Sequence, residues 1–199
     1  MINPNFVIVG VIAQFLGGLS YLVDTVKGKV RPNRVSWLFW SIAPMIAFVA
    51  EIKQGVGILS LATFIVGFSP LLIFISSFVN KKSEWKLSRF DLVCGFLSVL
   101  GLVFWYITKV GNIAIFFSIV ADGLAALPTI VKSYKEPDTE NDLPFTLGVV
   151  NSGIAILAIQ HWNFQSYGFP VYLLVVNLII AVLVRFKIGK KLHYKLKIA

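Results

Sequence analysis

Five polar side chains stand near the middle of long apolar runs in this sequence, and together they could form a binding site. One is the carboxyl group of Asp122; the others are neutral, namely Gln14, Ser69, Asn151 and Asn177. If each run is a helix that crosses a bilayer, a rise of about 1.5 Å per residue puts all five at a similar depth. A carboxyl group there costs several kcal/mol unless it faces a wet cavity or a partner, so Asp122 is expected to have a function. The alternative is a structural carboxyl that holds two helices together.

The chemistry of these side chains indicates recognition of a small polar molecule. The Asn151 and Asn177 amides can each donate and accept hydrogen bonds, which suits hydroxyl groups or an amide. No Lys or Arg lies at the depth of Asp122, so this carboxyl could bind a proton, a hydroxyl group or a cationic ligand. The Trp40 indole could stack on a sugar or heteroaromatic ring, whereas Trp37, nearer the end of its run, is expected to anchor at the membrane interface. The alternatives are an interhelical hydrogen bond for either Asn and lipid contact for Trp40.

Catalysis and metal binding receive little support from the sequence. His161, His193 and Cys94 are far apart in the chain, which gives no spacing typical of metal ligands. The sequence also has no glycine-rich phosphate loop, no visible Ser/His/Asp arrangement and no pair of carboxyl groups in the middle of runs. We therefore expect no catalytic residue, no metal site, no cofactor and no enzymatic activity.

The composition is that of an integral membrane protein. Hydrophobic residues make up 57% of the 199 residues, charged residues make up 14%, and the mean hydropathy is +0.83. A helix needs about 20 residues to cross a bilayer, and the alternation typical of barrel strands is missing. The sequence thus predicts an all-α membrane protein with seven transmembrane helices. Their predicted bounds are Phe6–Val26, Val35–Ala50, Gly57–Val79, Phe90–Thr108, Asn112–Val131, Pro144–His161 and Tyr167–Phe186.

The basic residues determine the predicted orientation of these helices. Of the 18 Lys and Arg residues, only Lys53 and Lys109 fall on the side opposite the first loop. The positive-inside rule therefore places the N-terminus outside and the basic C-terminal tail in the cytoplasm, as expected for a multi-pass protein of the cell membrane. The net charge of +9 does not indicate nucleic-acid binding, because the basic residues flank apolar runs beside the lipid bilayer and form no single surface.

An internal repeat relates the two ends of the chain. The 16 residues Gly17–Pro32 return 105 positions later as Asp122–Pro137, with six identical positions that include Lys27 and Lys132. The match thus extends beyond the apolar residues that any two membrane helices share. We predict two three-helix repeats in parallel orientation, because a linker helix between them returns the chain across the bilayer. Their bounds are 1–82 for the first repeat, 83–110 for the linker helix and 111–199 for the second repeat with its tail.

One motif in the second repeat resembles the PQ-loop superfamily, which includes the SWEET sugar transporters. The segment Leu127–Lys135 is similar to the family's leucine-proline-glutamine element followed by a basic loop, with Thr129 in place of the glutamine. The resemblance covers nearly the whole chain through its three-one-three helix plan. It implies that a small solute passes between the two repeats and that Asn177 occupies a pocket position. Pro128 and Pro44 interrupt helical hydrogen bonds, and in the family such prolines act as hinges.

These expectations combine into one functional prediction, a transmembrane carrier for a small polar solute that works by alternating access between the two repeats. A sugar, nucleoside, vitamin or amino acid is expected; uncharged solutes fit the predicted pocket best, while the carboxyl leaves cationic or amino compounds open. Transport would be facilitative or proton-coupled. One chain contains both repeats, and a homo-oligomer is a second option. The alternative function is a non-transporting membrane receptor or sorting protein on the same fold. The predicted substrate-binding residues are Asp122, Asn177, Asn151, Trp40, Ser69 and Gln14, with Pro128 and Pro44 as hinges.

Overall fold

The computed structural model describes residues 2, 6–53, 60–108 and 111–192, and the regular structure of this part of the chain is helical without any strand. The predicted all-α class is thereby confirmed for these residues. The start of the third predicted run at Gly57 and the tail from His193 onward lie outside the described residues. The helices are α1 (Val7–Val26), α2 (Arg34–Lys53), α3 (Ser60–Ser76), α4 (Arg89–Ile107), α5 (Gly111–Lys135), α6 (Leu143–Leu157), α7 (Phe164–Phe186) and a short α8 (188–192).

The helices α1 to α7 coincide with the seven predicted apolar runs, with shifts of a few residues at their ends. The largest differences are at α5, which continues past Val131 to Lys135, and at α6, which ends at Leu157 instead of His161. An apolar run ends where polar residues begin, whereas a helix ends where its backbone hydrogen bonds end. The bounds of the two therefore differ. Short 3-10 turns precede α4 and α6 at Lys81–Ser83 and Pro137–Thr139.

In the part of the chain that the structure describes, three helical segments are long and apolar enough to cross a membrane by length and composition: Val7–Val26, Ile115–Lys135 and Ser166–Phe186. The segments Phe64–Ser76 and Leu143–Leu157 are also apolar but shorter. Many large apolar side chains on these helices and on α4 are exposed on the outside of the bundle. Such a surface favours lipid over water as its surroundings.

The helices pack as two sets of three. In the first set α3 contacts both α1 and α2, and in the second set α7 contacts both α5 and α6. The two sets meet where α1 packs against α6 and where α2 packs against α5. The remaining long helix, α4, packs against α5 and α2 and therefore bridges the two sets.

Glycine allows α1 to lie close to α6. A Cβ atom at position 17 would come within 2.8 Å of the Pro144 Cα atom, so Gly17 permits an approach that a larger residue would prevent. Two turns earlier in α1, Gly10 faces the side chain of Asn151. This close contact brings two of the predicted site residues, Gln14 on α1 and Asn151 on α6, to the same region.

A buried amide ties the start of α2 to the start of α4. The Asn33 side chain is fully buried; its Oδ1 accepts a hydrogen bond from the Val35 backbone N–H, and its Nδ2 donates to Asp91 Oδ1, both at 3.1 Å. Asp91 also accepts from the Ser88 backbone N–H, and Ser88 Oγ accepts from the Asp91 N–H, which caps the first turn of α4. α4 is thus fixed to the first set by polar contacts as well as by packing.

Replacing Gly17 by Ala is expected to force α1 away from α6. The added methyl group would meet the Pro144 backbone, which cannot rotate away, at a cost of about 1–3 kcal/mol. The apparent Tm in detergent should fall by about 2–4 °C for each kcal/mol lost. Gly153→Ala is the matched control, because no described atom lies within 4 Å of a Cβ atom there. Equal unfolding temperatures for the two variants would contradict the close approach.

Candidate functional site

A cavity lies between the two sets of helices and contains about 120 Å³ of space for the centres of water molecules. That space is enough for several water molecules or a small organic solute. Side chains from α1, α2, α3, α5, α6 and α7 form its wall. All six predicted substrate-binding residues are among them: Gln14, Trp40, Ser69, Asp122, Asn151 and Asn177.

The carboxyl group of Asp122 is held by an aromatic neighbour that the sequence did not point to. The Tyr172 hydroxyl on α7 donates a hydrogen bond to Asp122 Oδ2 at 2.6 Å. The Trp40 indole N–H on α2 also faces this carboxyl group. Asp122 on α5 therefore joins α2 and α7, one helix from each set. Tyr172 gave no cue in the sequence, since a tyrosine inside an apolar run is equally compatible with packing or with a belt position.

The four neutral polar residues differ in how far their hydrogen-bonding capacity is already used. Asn177 Nδ2 donates to the Leu173 carbonyl of its own helix at 2.8 Å, so one of its two N–H donors is engaged while its amide oxygen keeps its accepting capacity. Gln14, Ser69 and Asn151 make no hydrogen bond to any other residue that the structure describes. Polar groups that are unsatisfied by the protein and line a cavity are available to a solute or to water.

Aromatic rings form one end of the cavity. Trp37, Trp40 and Phe145 line it, with ring centroids 5.2 Å apart for the two indoles and 6.3 Å apart for Trp40 and Phe145. The fully buried Tyr21 packs behind them, 4.6 Å from Trp37. The expectation that Trp37 anchors at the membrane interface is wrong, because this side chain is only 4% exposed and lies inside the helical bundle. The sequence placed Trp37 by its distance from the end of the run and could not show which face of α2 it occupies.

A buried ion pair lies directly beyond these rings. Lys132 Nζ on α5 and Glu140 Oε1, in the loop before α6, are 2.6 Å apart, and both side chains are fully buried. The Tyr21 hydroxyl on α1 donates to Glu140 Oε2 at 2.6 Å. Lys132 also donates to the Arg31 carbonyl in the loop after α1, and its ammonium lies 5.0 Å from the centre of the Trp85 ring. We call these five residues the buried network.

The buried network joins the two helix sets at one end of the bundle. Tyr21 and Arg31 belong to the first set, Lys132 and Glu140 to the second, and Trp85 precedes α4. The Arg31 backbone N–H donates to the Thr139 carbonyl at 2.9 Å, which adds a main-chain link between the same two loops. Because Tyr21 contacts both Trp37 and Glu140, it connects the cavity wall to the network. This end of the cavity is therefore closed.

The sequence treated Lys132 as one of the basic residues beside the membrane and gave no role to Glu140. The structure corrects this reading of Lys132, since its ammonium is enclosed by a carboxylate, two backbone carbonyls and an indole ring. The repeat did not indicate this burial either, because Lys132 aligns with Lys27, which lies exposed at the end of α1. The partners of Lys132 come from a loop that folds back over the helix end, and helical periodicity carries no information about such a fold-back.

Exposed ion pairs surround the buried network. Lys187 Nζ lies 2.7 Å from Asp138 Oδ1, and Arg185 Nη1 lies 2.9 Å from Asp142 Oδ2. Hydrogen bonds from Lys187 and Lys190 hold the pKa of the Asp138 carboxyl below its usual range. These pairs join the end of α7 to the loop before α6, but they are open to water and contribute little stability.

The two predicted hinge prolines occupy different surroundings. Pro44 lies inside α2 and lines the cavity, whereas Pro128 lies inside α5 and is fully buried away from it. Next to Pro128, the Thr129 hydroxyl donates to Ser36 Oγ at 2.8 Å and links α5 to α2. Their role as hinges stays a prediction. No group of three or more His, Cys, Asp or Glu side chains that could hold a metal ion occurs among the described residues.

Removing one member of the buried pair is expected to destabilise the protein strongly. Glu140→Leu leaves the Lys132 ammonium buried without a counter-charge, which costs about 3–5 kcal/mol. Combining it with Lys132→Met removes the second charge as well, so most of the lost stability should return. Heat unfolding of the two variants in detergent measures both effects.

The control for this experiment is Arg185→Gln at an exposed ion pair. The Arg185 side chain is 69% exposed, so its loss should cost less than about 1 kcal/mol. A Glu140→Leu variant as stable as Arg185→Gln would contradict a buried, mutually dependent pair.

Comparisons with known proteins leave the cavity to be interpreted from its own chemistry. No protein-family model matches the sequence, and no curated protein or solved structure matches it either. The resemblance to the PQ-loop superfamily therefore stays a prediction that is based on Leu127–Lys135 and on the pattern of helices and charges.

Proposed function

We propose that this protein is a seven-helix membrane carrier that moves a small polar solute by alternating access between α1–α3 and α5–α7. The observation that carries the proposal is the cavity between the two sets, which is lined by the Asp122 carboxyl and by several polar groups without a hydrogen-bond partner among the described residues. Ligand sites in secondary carriers commonly lie at such an interface between two repeated units.

The contact pattern supports two repeats of one architecture. In each set the third helix packs against the first and the second, and the sets meet through the first helix of one and the second helix of the other. The contacts of α1, α2 and α3 therefore correspond to those of α5, α6 and α7, as expected for two units that are related by a two-fold axis. Together with the alignment of Gly17–Pro32 to Asp122–Pro137, this pattern favours duplication. α4 then acts as the linker that keeps both repeats in parallel orientation.

The positions of charges and loops favour a specific membrane topology. The buried network and the exposed ion pairs lie at the end of the bundle that contains the loops after α1, α3, α5 and α7. These loops hold most of the basic residues, so the positive-inside rule assigns this end to the cytoplasm. The N-terminus would then be outside, and the described conformation would be closed toward the cytoplasm.

Alternating access requires that the closed end can open. The two loops that form the buried network belong to different sets, so a rocking motion of one set against the other would separate Tyr21 and Arg31 from Lys132 and Glu140. The pair itself lies within the second set and could stay intact. The Tyr21 hydroxyl bond and the main-chain link between the loops would be exchanged for water, which is a modest cost for each bond.

Transport by purified protein in proteoliposomes tests this proposal. Exchange of radiolabelled solutes should be screened with a panel of sugars, nucleosides, vitamins, amino acids and amines. The protein should move at least one class, and Asp122→Asn should lower that rate by at least about tenfold because the cavity loses its one carboxyl group. Asp138→Asn, an exposed loop variant, is the control and should transport as the parent does.

The outcomes separate the carrier from its alternatives. Lack of flux for every class, together with capture of a soluble protein partner, would favour a receptor on the same fold and end the carrier proposal. Flux that is independent of pH in the parent and unaffected in Asp122→Asn would exclude a proton-coupled mechanism through this carboxyl and leave a facilitative carrier.

A further inference from the structure

We infer that the cavity selects an organic cation, that is, an amine or quaternary nitrogen attached to a small apolar or aromatic body. The inference rests on the proposed function and names the substrate class of the same site. It differs from the preference for uncharged sugars or nucleosides that the sequence alone suggests.

The first argument is the charge of the cavity wall. Asp122 is an acidic residue on this wall, and none of the lining residues that the structure describes is Lys, Arg or His. The buried network lies beyond the aromatic rings, and there Lys132 is already paired with Glu140. The wall therefore has an uncompensated negative charge, which an uncharged solute would leave in place.

The second argument compares two enclosed carboxyl groups, Glu140 and Asp122. Each accepts a hydrogen bond from a tyrosine hydroxyl at 2.6 Å, Glu140 from Tyr21 and Asp122 from Tyr172. That distance lies in the range of about 2.5–2.7 Å that is typical of a hydroxyl bound to an ionised carboxylate. Glu140 has a lysine partner in addition, whereas Asp122 faces open space. At Glu140 the Lys132 ammonium lies beside the carboxylate. The corresponding side of the Asp122 carboxylate faces the cavity and suits the cationic group of a solute.

The third argument is the aromatic surroundings of Asp122. Trp40 and Tyr172 both reach the carboxyl group, and each packs on a second ring that lines the cavity: Trp40 on Phe145 at 6.3 Å and Tyr172 on Phe169 at 5.8 Å. Aromatic faces attract ammonium groups and also accept a flat apolar body. A carboxylate between aromatic rings thus matches both parts of an aromatic or alkylated amine.

The remaining polar groups add acceptors to this arrangement. Asn177 donates one N–H to the Leu173 carbonyl, and its amide oxygen can still accept from a solute. An ammonium group has donors only, and it would use such an oxygen together with the carboxylate.

Binding of matched amine and alcohol pairs tests the inference. Tryptamine, a cation at neutral pH, and tryptophol, its uncharged alcohol analogue, differ mainly in charge; phenethylamine and phenethyl alcohol form a second pair. Thermal stabilisation of the detergent-solubilised full chain should appear at tryptamine concentrations at least about tenfold lower than those of tryptophol. Asp122→Asn should remove this difference, whereas Asp122→Glu and the exposed control Asp138→Asn should keep it.

Transport provides an independent measure of charge. In proteoliposomes an inside-negative potassium diffusion potential of about 100 mV should raise the accumulation of labelled tryptamine by up to about fiftyfold, because each elementary charge gains about 2.3 kcal/mol. Accumulation of an uncharged solute should not respond to the potential. Asp122→Glu and Asp122→Asn are compared only where both elute as the parent does in size-exclusion chromatography.

The outcomes distinguish this inference from the proposed function. If amines and alcohols stabilise the protein equally, or if sugars are transported and no amine is, then cation selection is overturned while the carrier stands. If no solute is bound or moved, the carrier itself is overturned. Cation-selective binding that survives in Asp122→Asn would also contradict the inference, because the charge that carries it would be absent.

Discussion

A charged group that is removed from water must be compensated by other groups, and this constraint organises the whole structure. Glu140 and Asp122 show this constraint, since a tyrosine hydroxyl donates to each of their carboxyl groups at 2.6 Å. Glu140 also has the Lys132 ammonium, so it forms a closed and stable joint between loops. Among the described residues of the cavity wall, Asp122 has no cation beside it. One carboxyl group is thus paired within the protein, and the other faces the cavity.

The packing of the helices explains why these two sites are adjacent. Gly17 allows α1 to approach α6, and Tyr21, one turn further along α1, then lies between the cavity rings and Glu140. A change in the contact between the two helix sets must therefore affect both the cavity and the buried network. In the proposed carrier, this shared dependence would couple solute binding to the opening of one end.

Much of the cavity could be predicted from the sequence, because depth along a helix follows from residue number. Asp122 and Asn177 were located in this way, and they line one cavity. The partners of the buried charges could not be predicted. Tyr172 and Trp37 depend on which face of a helix turns inward, which a uniformly apolar run does not encode, and Glu140 depends on the fold of a loop. The depth of a residue within its helix could thus be predicted from the sequence, whereas the direction of its side chain and the contacts of loops required the three-dimensional structure.

The most direct test of the account is the side-specific accessibility of the cavity. Ser69 lines the cavity, so Ser69→Cys places a thiol on its wall. Replacing the buried Cys94 by Ala leaves this thiol as the one that a reagent can modify. A membrane-impermeant thiol reagent should modify this cysteine rapidly from the outer side and slowly from the cytoplasmic side. Adding Lys132→Met and Glu140→Leu should raise the cytoplasmic rate by at least about tenfold, because the Tyr21 hydroxyl loses its partner across the closed end. Two results would contradict a solute cavity that is closed at its cytoplasmic end. One is that the cysteine is modified from neither side; the other is that the protein with its network intact is modified at equal rates from both sides.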